Sequence, residues 1–138
     1  MNGDRYFLDT FFPAALLNDG DQFHGQAREW LQRARAAREV WTTEAVLIEI
    51  ADTLSALDRL GAAEFIWSLR RNDNVRIAKV DSDLIERGLK LYESRPDKTW
   101  GLTDCMSFLV MQDQGLTDAL TADEHFTQAG FRAVFRTT

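Results

Sequence analysis

Three acids in this chain stand where apolar segments begin or end. Asp9 closes the run in "YFLDTFF", Asp104 opens the one in "LTDCMSFLV", and Asp123 sits in "LTADEHF". A fourth, Glu49 in "TTEAVLIEIADTL", lies beside the apolar stripe of a helix, with Ala45, Val46, Thr53 and Ala56 at helical offsets. Taken singly, each has an ordinary explanation. Asp9 and Asp123 suit helix N-caps, Asp104 suits a first helical turn behind Thr103, and Glu49 suits a helix surface. Taken together they are carboxylates set against apolar structure, where mutual repulsion and burial both raise the cost of ionisation. Such a group is tolerable only with protons or a cation among its members. An oxygen-rich, acidic set with no Cys or His nearby suits Mg2+ or Mn2+, and a divalent ion held that way points to phosphoryl chemistry without a covalent nucleophile.

The elements that must position these acids follow from the apolar spacing. "RYFLD" is too short for a helix and reads as a strand, followed by a helix over "TFFPAALLN" with Pro13 in its first turn. "DQFHGQAREWLQRARAAR" has helical spacing behind Asp21 as cap, and "EVWTT" is a second strand. A helix from about Glu44 puts Leu47, Ile50, Leu54 and Leu57 on one face, Gly61 ends it, and "AAEFIWSLRR" continues as another helix. "NVRIAKV" alternates as a strand, and "DSDLIERGLKLYESR" is a helix closed by Pro96. Thr103 to about Gln114 is a helix stopped by Gly115, "DALTA" a strand, Asp123 the start of a short helix, and "FRAVF" a final strand. Strands alternating with helices call for a parallel sheet with crossovers, so the expected fold is a three-layer α/β/α sandwich around about five parallel strands. At the carboxyl edge of such a sheet functional groups gather, and Asp9, Asp104 and Asp123 fall at strand–helix boundaries that would meet there.

With 138 residues, 45% of them hydrophobic, the chain can bury one core, and residues 1–138 read as a single domain. Its apolar runs are broken by charge well short of a membrane span, and "MNGDRYFLDTFF" lacks the order of an export signal, which points to the cytoplasm. The single cysteine, Cys105, excludes an internal disulfide and fits a buried packing role. A net charge of −6 argues against broad binding to a phosphate backbone. Arginines nevertheless cluster at Arg28, Arg33, Arg35 and Arg38 and at Arg70, Arg71 and Arg76, where a solvated helix face fits better than a phosphate-binding rim. Neither "GxGxxG" nor a "GKS/T" ending occurs, which disfavours dinucleotide and NTP binding by those routes. Of the two histidines, His125 follows Asp123 closely enough to approach the acids, but an exposed helix position suits it better.

In order and spacing, the "LDT" strand end, "TTEAVLIEIADTL", "WGLTDCMSF" and "ALTADEHFTQAGF" resemble the PIN-domain nucleases, and among them the VapC-type toxins of bacterial toxin–antitoxin pairs. The likeness runs from Arg5 to Phe135, and its third and fourth motifs are the specific part. The family's acidic quartet maps onto Asp9, Glu49, Asp104 and Asp123, and the hydroxyl residues it carries beside those acids onto Thr10, Thr121 and Ser107. The chain departs from the pattern where Phe11 follows "DT" in place of the usual Asn or Ser. The resemblance implies a metal-dependent endoribonuclease that acts on RNA and leaves a 5′ phosphate and a 3′ hydroxyl. It also implies a homodimer inhibited by a cognate antitoxin. Two other readings compete: a domain of the same fold acting through protein–protein contact, with Phe23, Trp30, Phe65 and Trp67 available for a surface, and an RNA-processing nuclease that is not a toxin. Haloacid-dehalogenase-like phosphatases need a second acid that "LDTF" lacks, and 5′-nuclease relatives are usually much longer.

Overall fold

Tyr6, Phe7 and Leu8 form a run apolar on both faces, the mark of a strand covered from two sides. The computed structural model, which describes residues 4–136, places that run at the centre of its sheet. The strands are β1 (Arg5–Leu8), β2 (Glu39–Thr43), β3 (Val75–Ala78), β4 (Asp118–Leu120) and β5 (Arg132–Ala133), all parallel, in the order β3-β2-β1-β4-β5. Between them run α1 (Phe11–Leu17), α2 (His24–Ala36), α3 (Glu44–Arg71), α4 (Ser82–Ser94), α5 (Leu102–Asp113) and α6 (Glu124–Gln128). The expected sandwich is therefore the observed one; residues 1–3 and 137–138 of the expected 1–138 unit lie outside the described residues.

The two-residue period of β1 builds both halves of the core. Tyr6 points to one face and meets the Trp30 ring of α2 edge-on at 5.6 Å, while Phe7 points to the other and meets Phe126 of α6 at 6.2 Å. The first face is filled by Phe12 of α1, Phe65 of α3 and Phe135, and the second by Phe108 of α5, whose ring stands 5.0 Å from Phe126. Tyr6, Phe7 and Leu8 are all buried. Burying a side chain such as Phe7 contributes about 1.5–3 kcal/mol, so this strand anchors the sheet.

Register then decides where the acids go. Leu8 of β1 pairs with Leu120 of β4, so the residues that follow, Asp9 and Thr121, leave the sheet side by side at its carboxyl edge. The chain leaves β1 for β2 and β3 on one flank and returns to β4 and β5 on the other, so its direction of winding reverses between β1 and β4. Open parallel sheets place their sites at that kind of crevice.

Several local expectations shift. The break in the long helix comes at Asp58 (φ −159°, ψ 77°), three residues before Gly61. The Asp58 carboxylate accepts the Gly61 N–H at 2.9 Å and so caps the second half, and a Cβ on Gly61 would lie 2.2 Å from Asp58 Oδ2. The buried stripe of the first half therefore stops at Leu54, and Leu57 is 54% exposed. Asp21 does not cap α2: it accepts the Phe23 N–H at 2.8 Å in a turn ahead of the helix, whose N-cap position is Phe23. Helix α5 starts at Leu102 with Gly101 as its cap, not behind Thr103. "FRAVF" gives only two strand residues before a 3-10 turn (Val134–Arg136). Cys105 is buried, as its apolar surroundings require, and burial pushes its thiol upward. Among the described residues no helix is long and apolar enough to cross a membrane.

Candidate functional site

Asp9 is the first residue past β1, and α1 starts two residues later, which sets it at the mouth of the crevice. It is 5% exposed. The Thr121 hydroxyl donates to Asp9 Oδ2 at 3.0 Å and accepts the Asp123 N–H at 3.0 Å, which ties the end of β1 to the loop after β4. Asp123 caps α6, its Oδ1 accepting the His125 N–H at 2.9 Å. Asp104, in the first turn of α5, accepts the Gly101 N–H at 3.2 Å. Glu49, in the second turn of α3, takes a hydrogen bond from the Thr10 hydroxyl, which holds it against the end of β1. The capping roles of Asp104 and Asp123 are real, and the same carboxylates still converge.

Their charges act on one another. The Asp9 carboxyl is pushed up to about 7, first by burial and then by Asp104, with Glu49 and Asp123 adding to the rise and the Thr121 hydrogen bond opposing it. Burial likewise raises Asp104, against the pull of the Gly101 N–H and of His125. All four acids thus share one electrostatic neighbourhood, gathered from β1, α3, α5 and α6.

His125 belongs to this group, contrary to the exposed position expected for it. As the second residue of α6 it turns its ring back over the cap. Its Nδ1 lies 2.9 Å from Asp104 Oδ2 and 3.5 Å from Asp123 Oδ1, and its Nε2 lies 3.1 Å from the Thr99 hydroxyl. Its place two residues after a capping acid was the available signal. Thr10 and Thr121 both touch acids, whereas Ser107 spends its hydroxyl on the Thr103 carbonyl, 2.9 Å away. The nearby acids separate cleanly from the four: Glu44 accepts the Val80 N–H at 2.8 Å, and Asp52 and Glu124 are exposed.

Arg136 stands on the rim of the same crevice. Its Nε donates to the carbonyl of Ala122, the residue before Asp123, and it lines a cleft with Phe11, Gln22, Phe23 and Asp123. By contrast Arg35, Arg38, Arg70 and Arg71 lie where α2 and α3 lead into the amino ends of β2 and β3, at the opposite edge of the sheet. Arg33 is stacked over Trp30 at 3.8 Å.

The PIN-domain model matches residues 6–132. The 23S rRNA-specific endonuclease VapC20 of Mycobacterium tuberculosis, from two strains, is 32% identical over 126 residues, which cover 91% of this chain and 94% of VapC20. The crystal structure of M. tuberculosis VapC20, described as a sarcin–ricin-loop-cleaving toxin, superposes with a TM-score of 0.84 at 30% identity over 95% of this chain and 98% of that one. A crevice of carboxylates at the β1/β4 switch point, on this sheet order and across nearly the full length of the match, leaves one assignment: the chain belongs to the PIN-domain family.

Proposed function

We propose that this protein, over residues 1–138 as a single PIN-like domain, is a Mg2+- or Mn2+-dependent endoribonuclease and the toxin of a toxin–antitoxin pair. Asp9, Glu49, Asp104 and Asp123 are its metal-binding and catalytic residues. The observation that carries the reading is the buried Asp9 carboxylate at the β1/β4 switch point, tied by Thr121 to the loop that bears Asp123, with Asp104 and Glu49 close enough to act on its charge. A structural aspartate gains nothing from that environment, whereas a cation among the four would lower its pKa and offset the mutual repulsion.

The donor set fits the group. Asp104 and Asp123 bring carboxylate oxygens within reach of one ion, and Asp9 and Glu49, each oriented by a threonine hydroxyl, carry further oxygens beside them; oxygens of this kind are the ligands that hard divalent ions take. What such an ion supplies when bound is Lewis acidity toward the phosphoryl oxygens and the attacking water. The chain does the rest. Thr121 fixes the rotamer of Asp9 and the backbone of Asp123 together, so the ends of β1 and β4 cannot drift apart. Thr10 brings Glu49 to the crevice from α3. Arg136 offers a guanidinium to an RNA phosphate beside Asp123, and Phe11 and Phe23 line the same cleft with aromatic surface on which a base can stack. This local arrangement reconciles RNA binding with the net charge of −6, since bound divalent ions would offset the acids.

The target named for VapC20, the sarcin–ricin loop of 23S rRNA, makes that loop the first substrate to test. The protein should cut it with Mg2+ or Mn2+ and not with EDTA, and Asp104→Asn should abolish cleavage while the melting transition is retained. Cleavage that survives the substitution and ignores EDTA would sink the assignment. A homodimer in the cytoplasm, held inactive by a cognate antitoxin, completes the proposal. It draws on the apolar surface left exposed by the two halves of α3 and by α4, including Leu60 (78% exposed), Trp67 (57%) and Tyr92.

A further inference from the structure

His125 has no place in the acidic quartet, yet its ring is the best-positioned nitrogen in the crevice. We propose that His125 is a ligand of the metal centre, with Nδ1 coordinating alongside Asp104 and Asp123, and that Thr99 holds its ring for that task; this rests on the metal-dependent reading above.

Donor spacing is the first argument. One ligand atom each from Asp104, Asp123 and His125 falls within 4.8 Å of the others. Ligands about 2.1 Å from a common ion in an octahedral shell stand about 3 Å apart when adjacent and about 4 Å apart when opposed. The two separations from Nδ1, 2.9 Å to Asp104 Oδ2 and 3.5 Å to Asp123 Oδ1, lie in that range.

Ring orientation is the second. Metal-binding histidines give their other ring N–H to a fixed acceptor, which sets the tautomer and the plane. Nε2 of His125 meets the Thr99 hydroxyl at 3.1 Å; without an ion Nδ1–H donates to Asp104, and with one in place the Thr99 oxygen can take an Nε2–H and leave the Nδ1 lone pair for the ion. Thr99 lies in the loop between α4 and α5, next to Trp100, which is buried and packs edge-on against Phe108 at 5.1 Å. The acceptor is thus carried on an anchored segment. Both ring nitrogens are accounted for, one toward the ion and one toward its support.

The donor type gives a consequence that an all-carboxylate site lacks. Imidazole nitrogen adds more to the binding of Mn2+ and later transition metals than to that of Mg2+, which prefers oxygen ligands and retains its waters. The wild-type protein should therefore bind Mn2+ more tightly than Mg2+ by a margin that depends on His125.

The test uses the full chain, freed of metal, with Mn2+ and Mg2+ as probes. Titration calorimetry should show His125→Ala weakening Mn2+ at least tenfold and Mg2+ by less than about threefold, with Thr99→Val an intermediate case. Pulsed electron spin resonance of the Mn2+-loaded wild type should show modulation from a directly bound nitrogen that is absent from His125→Ala, and thermal melting checks that both variants fold. Saturable Mn2+ binding with no nitrogen signal, or an unchanged Mn2+ affinity in His125→Ala, overturns the role of His125 and leaves the carboxylate site standing, provided Asp104→Asn abolishes binding. No saturable Mn2+ binding by the wild type overturns both.

Discussion

Replacing Asp9 by asparagine should make the metal-free protein more stable at pH 8, although it removes a residue proposed for the active site. In the fold the Asp9 carboxyl lies at about 7 against an ordinary value of 3.8. A carboxyl that binds its proton more tightly folded than unfolded contributes stability that is fully present below about pH 4 and is lost as the pH rises through about 7. Each pKa unit is worth about 1.4 kcal/mol, so the loss complete by pH 8 is about 4 kcal/mol, of which about 2–3 kcal/mol falls between pH 5 and pH 8. Asparagine keeps the shape and can still accept the Thr121 hydroxyl, but it carries no charge. Neighbouring groups relax around any buried charge, so about 2–4 kcal/mol at pH 8 is the expected gain, or roughly 6–12 °C in melting temperature for a chain of this size. The assay is urea or thermal unfolding of wild type and Asp9→Asn in EDTA at pH 5, 6.5 and 8, repeated with Mn2+. The gap between the two proteins should widen with pH, and added Mn2+ should raise the wild type alone. A variant equally or less stable at pH 8, or a gap that does not grow from pH 5 to 8, would refute the claim that Asp9 is held against its own charge.

Two further outcomes follow from other contacts. Gly61→Ala should cost about 1 kcal/mol, because the new Cβ displaces the Asp58 carboxylate and the lost cap outweighs the gain in helix propensity; in an Asp58→Ala background, where no cap remains to be lost, the same change should stabilise by about 1 kcal/mol, as a double-mutant cycle in urea would show. Arg136→Gln should weaken binding of a single-stranded RNA measured in EDTA and lower the slope of log K against log salt by about 0.7, the release of one phosphate contact, and an unchanged slope would remove Arg136 from the RNA path.

The parts of the fold legible in the sequence are those set by local period. Apolar runs of four or five residues between helical stretches identified all five strands, and the parallel sheet followed because such alternation leaves no room for hairpins. Details set by side-chain competition were not legible. Gly61 looked like a helix stop, but whether a helix breaks at a glycine or at an aspartate three residues earlier depends on which backbone N–H the aspartate can reach in the folded chain. Leu57 fits the apolar stripe by spacing and faces solvent because the break redirects the helix just after it. The strand at "FRAVF" is cut to two residues because Phe135 N–H bonds back to the Thr121 carbonyl and winds the end into a 3-10 turn.

The acids and the histidine show the same division within the site. The nearness of Asp9, Asp104 and Asp123 is legible because their positions follow from the chain's own geometry: a residue just past a central parallel strand, or in the first turn of the helix beside it, lies at the switch crevice. Glu49 could be chosen over Glu44 because the first lies on the inner edge of its helix, while the second is near enough to β3 to be used up on the Val80 N–H. His125 depends on a turn of chain rather than on a position. Two residues past the cap of a short helix, a ring can point to solvent or fold back, and here it is held back by Asp104 on Nδ1 and by Thr99, from a separate loop, on Nε2. Thr99 is 26 residues away along the chain, so the local spacing behind Asp123 brings His125 near the acids without fixing which way its ring turns. Carboxylates at strand ends are placed by the fold, whereas the nitrogen beside them is held in part by a second loop packed on the first, and the Mn2+ preference proposed above is therefore expected to vary with the sequence of the loop between α4 and α5.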